Sequence, residues 1–283
     1  MTQVSLMVDA PAYPAPTSLS PSRVEAFTSC PLSFRFASID KLPEVPNVAA
    51  VRGSLVHRAL ELTMCEAAAE RTPELVHRCL DRAITEYGAD AEMCALGLDD
   101  EATATFHDQA RRLVDRYLQM EDPRQVRAIG LELRLEASAG ALSLRGIIDR
   151  LELDDDGGLI VTDYKTGRAP SPNFEQRRLG GVHFYSFLCE SVFGVRPKAI
   201  RLMYLSSGET IEARPTDRSV QFVTTRTNAV FNAVERACRT GDFRARKGPL
   251  CDYCSFQQWC PEFGGEPALA AVEAPLRPGA VAR

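Results

Sequence analysis

The chain has 283 residues, 45% hydrophobic and 25% charged, which is enough for one large domain with a substantial core and argues against a second full domain. A net charge of −5 and a pI near 5.5 exclude a global basic field that would advertise nucleic acid. Local basic clusters remain at Arg111, Arg112 and Arg116, at Arg177 and Arg178, and at Arg239, Arg244, Arg246 and Lys247. Residues 1–18 carry no basic and apolar leader, and no run approaches the roughly 18 apolar residues of a spanning helix, so a cytoplasmic location without membrane association is expected. Nine cysteines in that setting point to thiols or metal ligands rather than a disulfide framework.

Residues 1–18 and 264–283 read as flexible tails around a domain at 19–248 and a cysteine-rich segment at 249–263. Ser20-Pro21-Ser22 predicts a helix start, with Ser22 and Glu25 at capping-box spacing, Val24 and Phe27 on one face, and a stop at Cys30-Pro31. Helical periodicity over Val51–Ala69, Pro73–Tyr87 and Asp99–Met120 predicts an N-terminal helical block. The period then changes. Ile129, Leu131, Leu133 and Leu135 alternate with other residues as in a strand, and Leu142–Leu153 and Leu159–Lys165 predict a β-hairpin. A helix over about 174–193, a strand around Ala199–Leu205 and a helix over Asp217–Arg239 complete the core. There is no internal repeat and no Gly-x4-Gly-Lys-Ser/Thr loop, so ATP-driven translocation would need another subunit.

The hairpin carries the most chemistry. Asp149 and Asp163 each lie seven residues from Asp156, the middle of the turn Asp154-Asp155-Asp156-Gly157-Gly158, so a symmetric hairpin sets them opposite each other. Cross-strand Cβ atoms are then roughly 5 Å apart, and Lys165 points the same way about 6.6 Å along the strand. Opposed carboxylates repel, and a divalent cation removes that penalty. Two hard oxygen ligands suit Mg²⁺ or Mn²⁺, with Lys165 orienting a nucleophile or offsetting charge, as in a phosphodiester hydrolase. Taken alone, the pattern is equally that of a solvated acidic edge on a surface hairpin.

Gly146-Ile147-Ile148-Asp149-Arg150 followed by Asp163-Tyr164-Lys165-Thr166-Gly167 resembles the core signature of the PD-(D/E)XK nuclease superfamily, in its RecB-type exonuclease branch. The resemblance implies that Asp149 and Asp163 bind metal and that Lys165 is the catalytic lysine. Gly53, His57, Leu60 and Glu61 match the family's Gly-x3-His-x2-Leu-Glu helix, whose histidine joins the metal shell. Glu132 stands where an additional family acid could align, with a solvated strand face as the alternative. Tyr185 matches the tyrosine of a Gln-x3-Tyr helix that supports the site or contacts DNA, but Gly181 replaces the glutamine, which puts that helix's substrate-positioning role in doubt.

Cys251, Cys254 and Cys260 cluster near the C-terminus, one thiol short of a tetrahedral site, and Cys30 shares with Cys260 a following proline. Spacing alone leaves zinc and [4Fe-4S] open. RecB-type and CRISPR-associated nucleases carry one cysteine before the core and three after it as Cys-x2-Cys-x5-Cys, and by that resemblance these four hold a [4Fe-4S] cluster, zinc being the second choice. Cys65, Cys79, Cys94, Cys189 and Cys238 fall in helical patterns, where cysteine packs as a small apolar side chain.

The fold implied is mixed α/β, a restriction-endonuclease-like core with a central mixed sheet flanked by helices and a cysteine clasp. The function implied is a metal-dependent DNA exonuclease acting on ends or single strands in repair or recombination, with DNA and a helicase or other repair subunit as partners. The alternatives are a non-catalytic or weakly catalytic DNA-binding or scaffold subunit of a helicase–nuclease complex and a CRISPR adaptation nuclease.

Overall fold

The structure, a computed structural model, describes residues 12–140, 142–169 and 172–282, with the side chains of 172–182 outside the description. The chain opens with a two-residue strand β1 (Ser18–Leu19) and helix α1 (Pro21–Ser29), followed by α2 (Pro31–Phe34) and a π-helical turn at Arg35–Ile39. The helical block is α3 (Val48–Cys65), α4 (Pro73–Tyr87), a short α5 (Ala91–Ala95) and α6 (Asp100–Met120). Each long helix begins on a side-chain cap: Asn47 accepts from Ala49 and Ala50, Thr72 from Leu75, and Asp99 from Ala102. Leu55, Val56, Ala59 and Leu60 of α3 recur at helical spacing and bury against Val76, Leu80 and Ala83 of α4 and Phe106, Val114 and Tyr117 of α6. That packing forms one of two cores.

The other core lies across the sheet. Strands β2 (Ala128–Ala139), β3 (Leu142–Leu153), β4 (Leu159–Lys165), β5 (Ala199–Tyr204) and β6 (Glu209–Ala213) join β1 in a six-stranded mixed sheet of order β1-β3-β4-β5-β6, with β2 paired to β3. Helix α7 (Pro172–Phe193) makes the crossover between the parallel strands β4 and β5, and α8 (Asp217–Thr240) follows β6. Leu144, Ile148, Ile200, Leu202, Phe184, Leu188 and Val234 pack with Phe34, Phe256 and Trp259 in this core. The architecture is the expected central mixed sheet flanked by helices.

The hairpin register is the predicted one. Arg150 pairs with Thr162, Leu151 with Val161 and Leu153 with Leu159, and continuing the ladder by one pair sets Asp149 opposite Asp163. The turn closes because Asp154 accepts from the N–H groups of Asp156 and Gly158 at 3.0 and 2.6 Å, and Gly157 adopts a φ of 81° that other residues resist. Since β2 covers one edge of β3 for most of its length, β1 and β4 share the other, pairing at 143–144 and 150–153. Among the described residues, no strand pairs with residues 145–149 on that edge.

Several expectations need correction. The alternating leucines of β2 do not share one face: Ile129 is exposed, Leu131 packs against the helical core, and Leu133 and Leu135 pack against the sheet core. The reason is Glu132, whose φ of 43° inverts the side on which following residues emerge. The cap of α1 is Ser20, which accepts from Arg23, rather than Ser22. Of the expected N-terminal tail, residues 1–11 lie outside the described residues, and at its end the Tyr13 N–H donates to the Cys238 carbonyl at 2.9 Å and the ring sits edge-on to Phe243. In place of a C-terminal tail, residues 264–282 fold back, with α9 (Ala270–Glu273), buried Ala270 and Ala274, Glu273 accepting from Trp259 Nε1 at 2.7 Å, and Val281 paired with Glu44. The side-chain surroundings of Gly181, Arg177 and Arg178 lie outside the described residues. No helix among the described residues is long and apolar enough to cross a membrane.

Candidate active site

Three elements converge where β3 and β4 part. The ladder stops at Arg150–Thr162, and the next N–H of β4, that of Tyr164, is taken by the Asp149 side chain, Oδ2 accepting at 2.8 Å. From the helical block, His57 Nε2 lies 3.0 Å from the Tyr164 carbonyl. A carbonyl only accepts, so Nε2 carries the proton and the Nδ1 lone pair is left facing Asp149, 3.6 Å from Oδ2. Gly53 permits this approach of α3, because a Cβ there would sit 3.0 Å from Thr166 Oγ1.

Glu132 completes the group. It stands between the pairs Leu131–Arg150 and Leu133–Ile148, opposite Asp149, and its left-handed backbone is a strained conformation of the kind that collects at functional sites. One nitrogen of His57 and one oxygen each of Glu132 and Asp149 lie within 4.8 Å of one another, a set that could hold a metal ion. Sequence reasoning named Glu132 only as an alignment; the polar residue interrupting a run of leucines was its signal.

Asp163 lies outside that trio. Its Oδ2 is 2.6 Å from Lys165 Nζ, and its Oδ1 accepts from the Tyr185 hydroxyl at 3.3 Å. Gly146 lets α7 bring Tyr185 this close: a Cβ there would meet Leu188 Cδ1 at 2.7 Å. Asp163, Lys165 and Tyr185 line a cleft of about 1030 Å³ that also reaches Arg134, Arg145 and the start of α1, over the unpaired edge of β3.

The electrostatics match a cation site. Burial and the Asp163 carboxylate push Asp149 up to about 7. Burial and then Asp149 raise Glu132, while burial lowers His57 and keeps it neutral. Burial pulls the Lys165 ammonium down, but Asp163 more than offsets this and holds it above the ordinary lysine value. Two raised carboxyls beside a neutral imidazole form a hard donor set whose mutual repulsion a divalent cation relieves, so the residues fit such an ion.

Residues 18–261 match the family model of the PD-(D/E)XK nuclease superfamily. The chain belongs to that superfamily. PD-(D/E)XK nucleases use divalent metal ions, in keeping with the donor set around Asp149. Among curated proteins, the chain is 26% identical over 140 residues to the Gene 69 protein of Mycobacterium phage L5, covering 47% of this chain and 44% of that protein. It is 31% identical over 169 residues to an ATP-dependent helicase/nuclease subunit of Moorella thermoacetica, covering 56% of this chain and 12% of that one. The chain thus spans less than half the length of either relative. A solved structure from Eubacterium rectale, of a protein named as a candidate exonuclease, shares the fold at a TM-score of 0.52 and 10% identity, over 84% of this chain and 92% of that one.

Four of the nine cysteines of this PD-(D/E)XK chain gather where the two ends of the domain meet. Cys30 closes α1 and begins α2, while Cys251, Cys254 and Cys260 sit on successive 3-10 turns. Burial raises the Cys254 and Cys260 thiols, and both lie within electrostatic reach of Cys30. Backbone N–H groups point at the sulfurs: Gly248 donates to Cys251 Sγ at 3.3 Å, and those of Phe256 and Glu262 serve Cys254 and Cys260. Cys79, Cys189 and Cys238 are buried as expected of apolar packing, whereas Cys65 and Cys94 are exposed.

Proposed function

We propose that this PD-(D/E)XK protein hydrolyses DNA phosphodiester bonds with Mg²⁺ or Mn²⁺, acting on ends or single strands. The observation that carries the reading is the convergence of His57, Glu132 and Asp149 beside the Asp163–Lys165 pair, which itself lines a cleft along β3. His57, Glu132 and Asp149, with Asp163 adjacent, would hold a divalent cation, which when bound would supply charge against the scissile phosphate and acidify a water. Lys165 orients the attacking water and balances charge as it builds on the phosphate. Tyr185 holds the second carboxylate oxygen of Asp163, fixing its rotamer. Residues of α1, β2 and β3 line the cleft together with Asp163 and Lys165 of β4, and a frayed end or single strand is the proposed occupant.

Cys30, Cys251, Cys254 and Cys260 are proposed to hold a [4Fe-4S] cluster that clasps the two ends of the domain. The backbone N–H groups aimed at the sulfurs, together with the mutual electrostatic reach of the thiols, suit such a cluster. The helicase/nuclease relative supports a helicase-type partner, and repair or recombination is the setting we propose for it.

Incubation of the full chain with end-labelled single- and double-stranded DNA tests the reading. Cleavage with Mn²⁺ that stops with chelator, faster on single strands, is expected. DNA binding without cleavage under any metal condition would favour a scaffold subunit instead.

A further inference from the structure

Arg150 carries a full charge into the interior with 0% of its surface exposed, directly behind the metal site, and neither the proposed hydrolysis nor the cysteine clasp uses it. Its partners span both layers of the fold. Nη2 donates to Glu121 at 3.0 Å, and Glu121 caps the C-terminal end of α6 in the helical block. Nε lies 2.9 Å from Glu152 on β3, and Nη2 also reaches the Thr162 hydroxyl of β4. Its shorter contact to a neutral group, from Nη1, is to the hydroxyl of Tyr164 at 2.6 Å.

Tyr164 is where this network meets the site. Tyr164 is 3% exposed with its ring held edge-on by Tyr117 at 5.9 Å, while its main chain makes the two bonds that orient the ligands: the N–H to Asp149 and the carbonyl to His57. The ladder with β3 has already ended, so Tyr164 is aligned by β5 on one side and by its own anchored ring. A displacement of the Tyr164 main chain would move the imidazole and the carboxylate together, although they come from different layers.

We propose that Arg150, acting through Tyr164, is a positioning residue that fixes the His57 tautomer and the Asp149 rotamer, and thereby sets the affinity of the chain for its divalent cation. The inference rests on the metal-site reading above. Outer-shell partners of this kind change metal affinity by about 10- to 100-fold when removed. A purely structural ion cluster predicts otherwise, since replacing a buried ionic contact changes stability without selecting the metal.

The test is Mn²⁺ binding to the full chain, followed by paramagnetic resonance of the free ion, for the parent, Tyr164→Phe and Arg150→Lys, with ¹⁵N spectra of the His57 ring recorded without metal. Tyr164→Phe removes one oxygen and preserves the packing, so it remains informative where Arg150→Lys fails to fold. The expected result is a Kd raised about 10- to 100-fold, a mixed His57 tautomer, and a thermal midpoint for Tyr164→Phe close to that of the parent. Folded variants with the parent's Kd and a single His57 tautomer would overturn the positioning role, even where the parent cleaves DNA. A parent that binds no Mn²⁺ would overturn both this role and the metal site beneath it.

Discussion

The Lys165 ammonium lies 2.6 Å from Asp163 Oδ2, one carboxylate beyond the His57–Glu132–Asp149 trio, so the lysine stands at the border between the ligand cage and the open cleft. From that border it can reach the substrate phosphate while its charge is held by a carboxylate whose side chain is 5% exposed. Lys165→Ala is expected to lower kcat by about 10²- to 10³-fold, the usual effect of removing one preorganised donor, with a much smaller change in Mn²⁺ affinity. Single-turnover cleavage alongside metal titration separates the two effects. A parallel loss in both would mean that the lysine supports the cage and not the reaction.

The raised Asp149 carboxyl couples metal-free stability to pH. Its folded pKa, about 7, lies above the ordinary aspartate value because of burial and Asp163, with Lys165, Arg150 and the Tyr164 N–H opposing. Between those values the folded state binds more protons than the unfolded one, so stability falls as pH rises from about 4 to about 7. The loss is on the order of a few kcal/mol. Thermal unfolding in chelator should therefore show a lower midpoint at pH 7.5 than at pH 5.5, and Asp149→Asn should flatten the dependence. Saturating Mn²⁺ should recover the midpoint at pH 7.5, because binding displaces the proton. A midpoint in chelator that climbs with pH would contradict the burial of Asp149.

Gly146 tests whether the approach of α7 matters. Alanine there collides with Leu188 Cδ1, and the repacking should cost about 1–3 kcal/mol while drawing Tyr185 away from Asp163. Adding Leu188→Ala makes room for the methyl group, so it should restore much of the cleavage rate without restoring full stability. Equal rates in the single and double variants would detach Tyr185 from catalysis.

For the cysteine clasp, protein purified anaerobically should absorb broadly in the visible region and contain acid-labile sulfide, and Cys30→Ser should lose both. Because a cluster held by Cys30 would tether α1 and α2 to the C-terminal turns, the same variant should unfold at a lower temperature. Stoichiometric zinc with no sulfide would replace the cluster by a single ion.

The hairpin was legible in the sequence because its turn chemistry is explicit: Asp154 and Gly157 fix the loop, and the loop fixes the register that sets Asp149 against Asp163. The long helices were legible for the same kind of reason, as strong periodicity begins at readable caps such as Thr72. Strand β1 has two residues and β6 has five, too few for alternation to show. The inversion of β2 at Glu132 depends on one backbone dihedral that composition does not reveal. The Pro- and Ala-rich C-terminal segment read as a tail, yet Ala270 and Ala274, four residues apart, find a buried place beneath Trp259 and its Glu273 partner. The site's first contacts came from motifs, whereas Arg150 and Tyr164 gained meaning only when the fold brought Glu121 and His57 to them.

The central claim, that these carboxylates and Lys165 form one DNA-cleaving centre, is tested most directly by degradation of end-labelled single-stranded DNA in Mn²⁺ by the parent chain, Asp149→Ala, Asp163→Ala and Lys165→Ala. The account predicts cleavage by the parent and its loss in all three variants, with each variant still folded. Cleavage by Asp163→Ala and Lys165→Ala at the parent's rate would contradict it.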